Sequence, residues 1–162
     1  MANLEHLTLL KNGTFRWDEW REKNPQVEFD LSSVNLYGYS LTGTNLQGVN
    51  LSHANLENTL LVQANLTNAD FNSANLNRAN LQEANLNKAN LSLASLNGAN
   101  LTKANFSLAN LIGVDLSLAN LQDAFMSQAN LIGADFKAAN LKAVDLLGAK
   151  LNRANLWKAK LY

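Results

Sequence analysis

Two histidines, His6 and His53, and 13 aspartates and glutamates are the side chains with which this chain could attempt acid–base or metal chemistry. The histidines lie in different regions, and neither has a second ligand at a metal-binding spacing. Cysteine is absent, which removes thiolate nucleophiles, disulfides and cysteine metal sites together. No nucleophile elbow, phosphate-binding loop or dinucleotide fingerprint occurs. Catalytic carboxylates need a site that excludes water and shifts their pKa, whereas Glu57, Asp70 and Glu83 are strewn along a polar, repetitive stretch. The sequence predicts no catalytic residue, no metal site and no cofactor. It predicts a protein that is not an enzyme.

The elements that would have to position any site are built from very few residue types. Leu (32), Asn (26) and Ala (22) supply 80 of 162 residues, and charged residues only 16%, against about 25% in ordinary soluble domains. The length suits one domain. With 13 basic and 13 acidic residues the net charge is zero, which does not suggest a nucleic-acid binder or an acidic partner surface. The opening MANLEHLTLLKNG has neither a basic n-region nor a long apolar stretch, so no signal peptide is predicted. No window approaches the ~20 apolar residues of a membrane span. A soluble, cytoplasmic protein is expected.

The bias has a period. From Leu31 to Leu161 every fifth residue is Leu, Phe or Met: 27 consecutive positions, of which 23 are Leu and the rest Phe71, Phe106, Met126 and Phe136. Two residues before each stands a small residue, Ala in 19 of the 27 cases, and between them usually Asn or Asp. On an α-helix, steps of five residues scatter the leucines around the cylinder. On a continuous strand, an odd step puts successive leucines on opposite faces. A short extended piece followed by a bend in every pentad aims each Leu at a common axis. Asn and Asp suit such a bend, because they hydrogen-bond nearby backbone and tolerate unusual φ/ψ. Their density also argues against an α-solenoid, Asn being a weak helix former.

The runs ANLNRANLQEANLNKAN and their neighbours resemble the A(N/D)LXX repeats of the pentapeptide-repeat family, over residues 29 to 162 and with no break in register. The resemblance implies an all-β solenoid: a right-handed quadrilateral β-helix, four pentads per coil, with the central residue and the preceding small residue inside. Departures are few: Leu60, Phe125, Lys150 and Lys160 stand where Asn or Asp is usual. The 27 pentads then make nearly seven coils, a column roughly 30 Å tall at ~4.8 Å per coil. Each interior Leu contributes about 1.5–3 kcal/mol by burial before chain entropy is counted. A filled interior leaves no cofactor cavity, and the Phe and Met variants read as volume adjustments.

Function must then sit on the outward positions, which stack at intervals of 20. Glu83, Lys103 and Asp123 are predicted to form an alternating ladder, Asp115 and Asp135 a like-charge stack, and Lys137–Trp157 and Lys142–Tyr162 cation–π pairs. Ile112 and Ile132 are predicted vertical neighbours, with Leu93 near the same face and Leu108 and Leu147 towards the adjoining edge. This cluster is the candidate partner surface; Phe125 and Leu60 are further exposed apolar candidates. No consecutive threonine ladder suggests ice binding.

Residues 1–28 differ in composition and read as a helical cap on the open β-edge, residues 29–162 as the β-helix. A short helix is predicted over Asn3 to Lys11 with Gly13 as its stop, then a second, N-capped by Thr14 and ending before Pro25. Phe15, Trp17 and Trp20 are expected to cover the first coil. The stretch LLKNGTFRWDEWREKNPQ also resembles a leader found ahead of the repeats in some family members, with Asp18 where Asn is usual. No comparable segment follows the last repeat. Residues 137–162 carry six basic and one acidic residue (+5), residues 31–136 three and six (−3), residues 1–30 four and six (−2). Either the lysines guard the edge by repulsion, leaving a monomer, or Trp157, Leu161 and Tyr162 form an end-to-end dimer contact. The family resemblance implies two kinds of role. One is a rigid scaffold or regulatory module with a protein partner; the other is DNA mimicry against DNA gyrase, which calls for an acidic surface that this neutral chain lacks.

Overall fold

The computed structural model describes residues 3–162. Two helices precede the repeat: α1 (Leu4–Lys11) and α2 (Thr14–Lys23). Asn3 caps α1, its side chain accepting the Glu5 N–H at 2.9 Å. Gly13, not Thr14, occupies the N-cap of α2, with φ at +109°. The chain must reverse between the helices, and only glycine takes that conformation without strain, which moves Thr14 into the first turn.

From Asp30 onward each bridging residue pairs in parallel with the residue 20 further on, from Asp30↔Asn50 to Asn140↔Lys160. Four pentads therefore close one coil. Each pentad contributes a single bridging residue, the Asn/Asp position, and then turns. The N–H of Leu36 donates upward to Asn55 O at 2.8 Å, and the N–H of Asn55 donates downward to Val34 O at 2.8 Å. The interior is continuous: Leu31 to Leu141, the alanines beside them, and Phe71, Phe106, Met126 and Phe136 are all buried.

The bends divide the work predicted for Asn between two residues. Asn55 Oδ1 accepts the N–H of Glu57 at 3.2 Å, and Asn75 Nδ2 donates to Asn55 Oδ1 at 3.3 Å, so the Asn column braces turns and links coils. The unusual backbone falls elsewhere. The second residue after each central one has φ between +55° and +70° at 26 corners, 19 of them not glycine. The Val34 N–H closes the turn to Leu31 O at 3.5 Å. Positive φ at the third turn residue alone is the signature of a type II turn. The sequence carries the corresponding signal: Thr42, Val62, Thr67, Thr102, Ile112 and Ile132 all occupy the position before the corner, and no β-branched residue occupies the corner itself. Branching at Cβ is least tolerated at positive φ.

Eight inward slots depart from Ala: Phe29, four valines, Tyr39, Thr44 and Thr59. Thr44 and Thr59 are buried, whereas Tyr39 is too large for the slot and turns out beside the cap, with Lys11 Nζ 5.3 Å from its ring centroid.

Candidate interaction surface

Taking Leu31 as the centre of face I, the chain runs through faces I to IV in each coil, with a two-residue corner between faces. Coils 4, 5 and 6 begin at residues 90, 110 and 130. Ile112 and Ile132 occupy the I/II corner in coils 5 and 6, and Leu93 the same corner in coil 4. Leu93 is 65% and Ile112 39% exposed, while Ile132 is half-buried. Glycine makes this corner flat: the Cδ2 of Leu93 lies 3.0 Å from where a Cβ on Gly113 would stand, and Gly133 continues the column. The three apolar residues thus form one stripe.

Leu108 and Leu147 do not join it. They lie at the IV/I corner, across face I, in coils 4 and 6, and both are exposed. Phe125 bridges Asn105 and Asp145 on face IV next to that corner and is half-exposed. Between the two corners runs the Asn90–Asn110–Asn130 column, in which Asn110 Nδ2 donates to Asn90 Oδ1 at 3.3 Å. Lys150 replaces the next Asn and ends the ladder. Asn130 Oδ1 is buried and has no hydrogen-bond partner among the described residues. Face I in coils 4 to 6 therefore presents apolar residues at both corners, with the Asn column between them. Leu118, exposed at the II/III corner, escaped the sequence reading; an apolar residue at a corner position was its signal. Leu60 is half-exposed on face III.

The cap is built differently from its prediction. Trp17 is fully buried, its ring centroid 4.8 Å from that of Phe29, and its Nε1–H donates to Asn45 O at 2.7 Å. Trp20 is half-buried, edge-on to Phe29 at 5.5 Å. Phe15 is 78% exposed and covers nothing: two residues before Trp17, it lies about 200° away around the helix. Other side chains meet the open β-edge instead. Asp18 Oδ1 accepts the Asn45 N–H at 3.1 Å, Arg21 Nη2 donates to Gln47 O at 2.6 Å, and His6 Nδ1 accepts the Asp30 N–H at 3.3 Å. Burial lowers the pKa of the Arg21 guanidinium, which stacks 4.6 Å from Phe29, while Asp18 opposes that shift. Hydrogen bonds from Ser32 hold the Asp30 carboxyl below its ordinary value.

The charged ladder is looser than predicted. Glu83 accepts from Gln63 Nε2 at 2.8 Å, which lowers its pKa, with Lys103 adding a weaker attraction and no ion pair closing within the ladder among the described residues. Asp115 and Asp135 do stack, and donors relieve them: the Ser117 N–H on Asp115, and the Lys137 N–H and Asn155 Nδ2 on Asp135, each at 2.9 Å. Lys137 and Lys158 sit 5.2 and 4.2 Å from the Trp157 ring centroid. The Lys142–Tyr162 pair does not form among the described residues, Tyr162 being 98% exposed. Trp157 and Leu161 are half-exposed at the last coil. No group of three or more potential ligands is placed to hold a metal among the described residues, and no described helix is long and apolar enough to cross a membrane.

Four sides of five residues per coil, each an Ala–Asn–Leu stretch and a two-residue corner, stacked at an interval of 20 residues, define a quadrilateral β-helix of nearly seven coils. The chain belongs to the pentapeptide-repeat family: pentapeptide repeats, in eight copies, match residues 30–68, 50–87, 74–111, 89–128 and 129–162, and the helix is right-handed. Among solved structures it is similar to a pentapeptide repeat protein of the Arabidopsis thaliana thylakoid lumen, at 30% identity over 65% of this chain and 66% of that one, just under two thirds, with a TM-score of 0.41. It is similar to HetL of Nostoc sp. PCC 7120, a protein involved in heterocyst differentiation regulation, at 25% identity over 87% of this chain and 94% of HetL, with a TM-score of 0.27. It is also similar to QnrB1, a plasmid-mediated fluoroquinolone resistance protein, at 21% identity over 82% and 79%, with a TM-score of 0.46. No curated protein matches the sequence.

Proposed function

We propose that this chain is a non-enzymatic, cytoplasmic protein-interaction module, a rigid column (29–162) closed by a helical cap (1–28), which holds a protein partner on face I. The observation that carries the reading is the exposed Leu93–Ile112–Ile132 stripe at the I/II corner. A partner presenting an apolar ridge would bury this stripe. Leu108 and Leu147 extend the surface across the face. The carboxylates support the non-enzymatic reading, since Glu83 stands exposed, Glu57 and Asp123 are part-exposed at their corners, and the polar columns are occupied by turn and inter-coil hydrogen bonds.

The test is retention of binding partners from native lysate on the whole protein and on Ile112→Asp/Ile132→Asp, with Ser52→Asp/Asn72→Asp, in the same column two coils or more below, as a control. Proteins held by wild type and control but lost by the first variant support the reading. An identical set on all three removes face I as the site. A supercoiling assay with DNA gyrase separates the mimicry reading: inhibition at sub-micromolar protein would replace the scaffold with a DNA mimic.

A further inference from the structure

Two oppositely charged aromatic patches lie near the two ends of the molecule, away from face I. The first is on α2. Phe15, Asp18, Glu19 and Glu22 line one shallow depression, and Phe15 stands almost free in it. Their spacing of three, four and seven residues puts them on one side of the helix; Asp18 also accepts the Asn45 N–H and Glu19 pairs with Lys23 at 2.7 Å, so Glu22 is the carboxylate there with no ion pair among the described residues. The second is the II/III corner. Lys137 and Lys158 flank Trp157, Lys160 follows on face III, and exposed Leu118 lies below in the same column. The corner and face III hold no acidic residue above Glu57. One patch thus sets Glu22 beside a phenyl ring in a region of net charge −2 (residues 1–30, four basic and six acidic), and the other is basic around an indole and a leucine.

We infer that the chain associates with a second copy of itself head to tail, the Phe15–Asp18–Glu22 side of one cap docking on the Trp157–Lys158 corner of the next molecule. Charge decides the orientation. Two C-terminal regions, each +5 over residues 137–162, repel one another, and like charges brought together across an interface cost several-fold in affinity or more. Cap against corner brings opposite charges together and packs Phe15 on Leu118 and Trp157. A heterologous contact of this type leaves one patch of each kind free, so it propagates into open chains instead of stopping at a dimer. It also leaves face I uncovered, independent of the partner reading above.

The experiment is sedimentation velocity on the full chain over a concentration series, at about 10 mM salt, where the screening length is ~30 Å, and at about 1 M, where it is ~3 Å. Wild type is expected to exceed the dimer mass at low salt and to dissociate at high salt. The cap variant Phe15→Ser/Glu22→Lys and the corner variant Trp157→Ser/Lys158→Glu each alter only exposed side chains. Each alone is expected to weaken association about 30-fold or more, as loss of an aromatic anchor does. Mixed together, they are expected to form one-to-one pairs, because each retains the patch the other needs. Circular dichroism confirms that both variants fold. A monomeric wild type at every concentration overturns the inference. So does a dimer abolished by the corner variant but not by the cap variant, which would be a tail-to-tail contact, and so does failure of the mixture to pair.

Discussion

Replacing Thr44 by Val should stabilise the protein. Thr44 and Thr59 fill equivalent inward slots, and both are fully buried. They differ in their hydroxyls: the single Thr59 O–H donates to Leu56 O at 2.5 Å, with Leu36 O a second acceptor in reach at 3.2 Å, whereas Thr44 Oγ1 has no partner among the described residues. Valine occupies the same slot at Val34, Val49 and Val114, so its shape is accommodated. A buried, unsatisfied hydroxyl costs about 1–3 kcal/mol, and a satisfied one contributes about 1 kcal/mol. Thr44→Val should therefore add ~1.5 kcal/mol and Thr59→Val remove ~1 kcal/mol. With 162 residues and an unfolding entropy of about 2.1 cal/mol/K per residue, these become a rise in Tm of roughly 4 °C and a fall of roughly 3 °C. Calorimetry on the two variants in parallel is the assay. A Tm for Thr44→Val at or below wild type, or shifts of the same sign in both variants, would refute the reasoning.

Two further outcomes concern the cap and the charged ladder. Trp17→Phe removes the donor to Asn45 O and Asp18→Asn weakens the acceptor for Asn45 N–H; each should cost about 1–2 kcal/mol. Because both hold the backbone of one residue, Asn45, a double-mutant cycle should show a coupling of about 0.5 kcal/mol or more, and strict additivity would dismiss the shared edge contact. Glu83 has its folded pKa lowered, first by Gln63. Its contribution is therefore present above the unfolded carboxylate pKa and disappears as pH falls through the folded one. Glu83→Gln should melt slightly below wild type at neutral pH and coincide with it in acid, whereas a gap that persists in acid would contradict the assignment.

The repeat is legible because burial and register reinforce each other: neither a helix nor a flat strand buries a Leu at every fifth residue, as the coil does from Leu31 to Leu141, and the coil length follows from the family resemblance. What lay outside the repeat was read less well. Phe15 was assigned to the coil by its type, but the helical phase set by Trp17 decides where it points. Asp18, Arg21 and His6 were not foreseen as edge partners, since the backbone groups they satisfy belong to residues 24 to 27 positions away. The candidate surface was half legible. Vertical spacing put Ile112 over Ile132, but the lateral separation of Leu108 and Leu147 depends on where the corners fall, and the corners are marked by backbone conformation, which Leu, Lys and Ala at those positions do not announce.

The 20-residue coil sets the terms on which such a chain can change length. Loss of one residue anywhere in the repeat would turn every later leucine out of the interior. Loss of five restores the interior but rotates everything beyond the cut by a quarter of a turn, so that the Ile112–Ile132 stripe would sit on a different side relative to the cap. Only loss or gain of 20 residues keeps both the core and the compass bearing of each surface. Deletions in multiples of five thus offer a way to swivel the two ends of the molecule against each other without altering a single side chain in either.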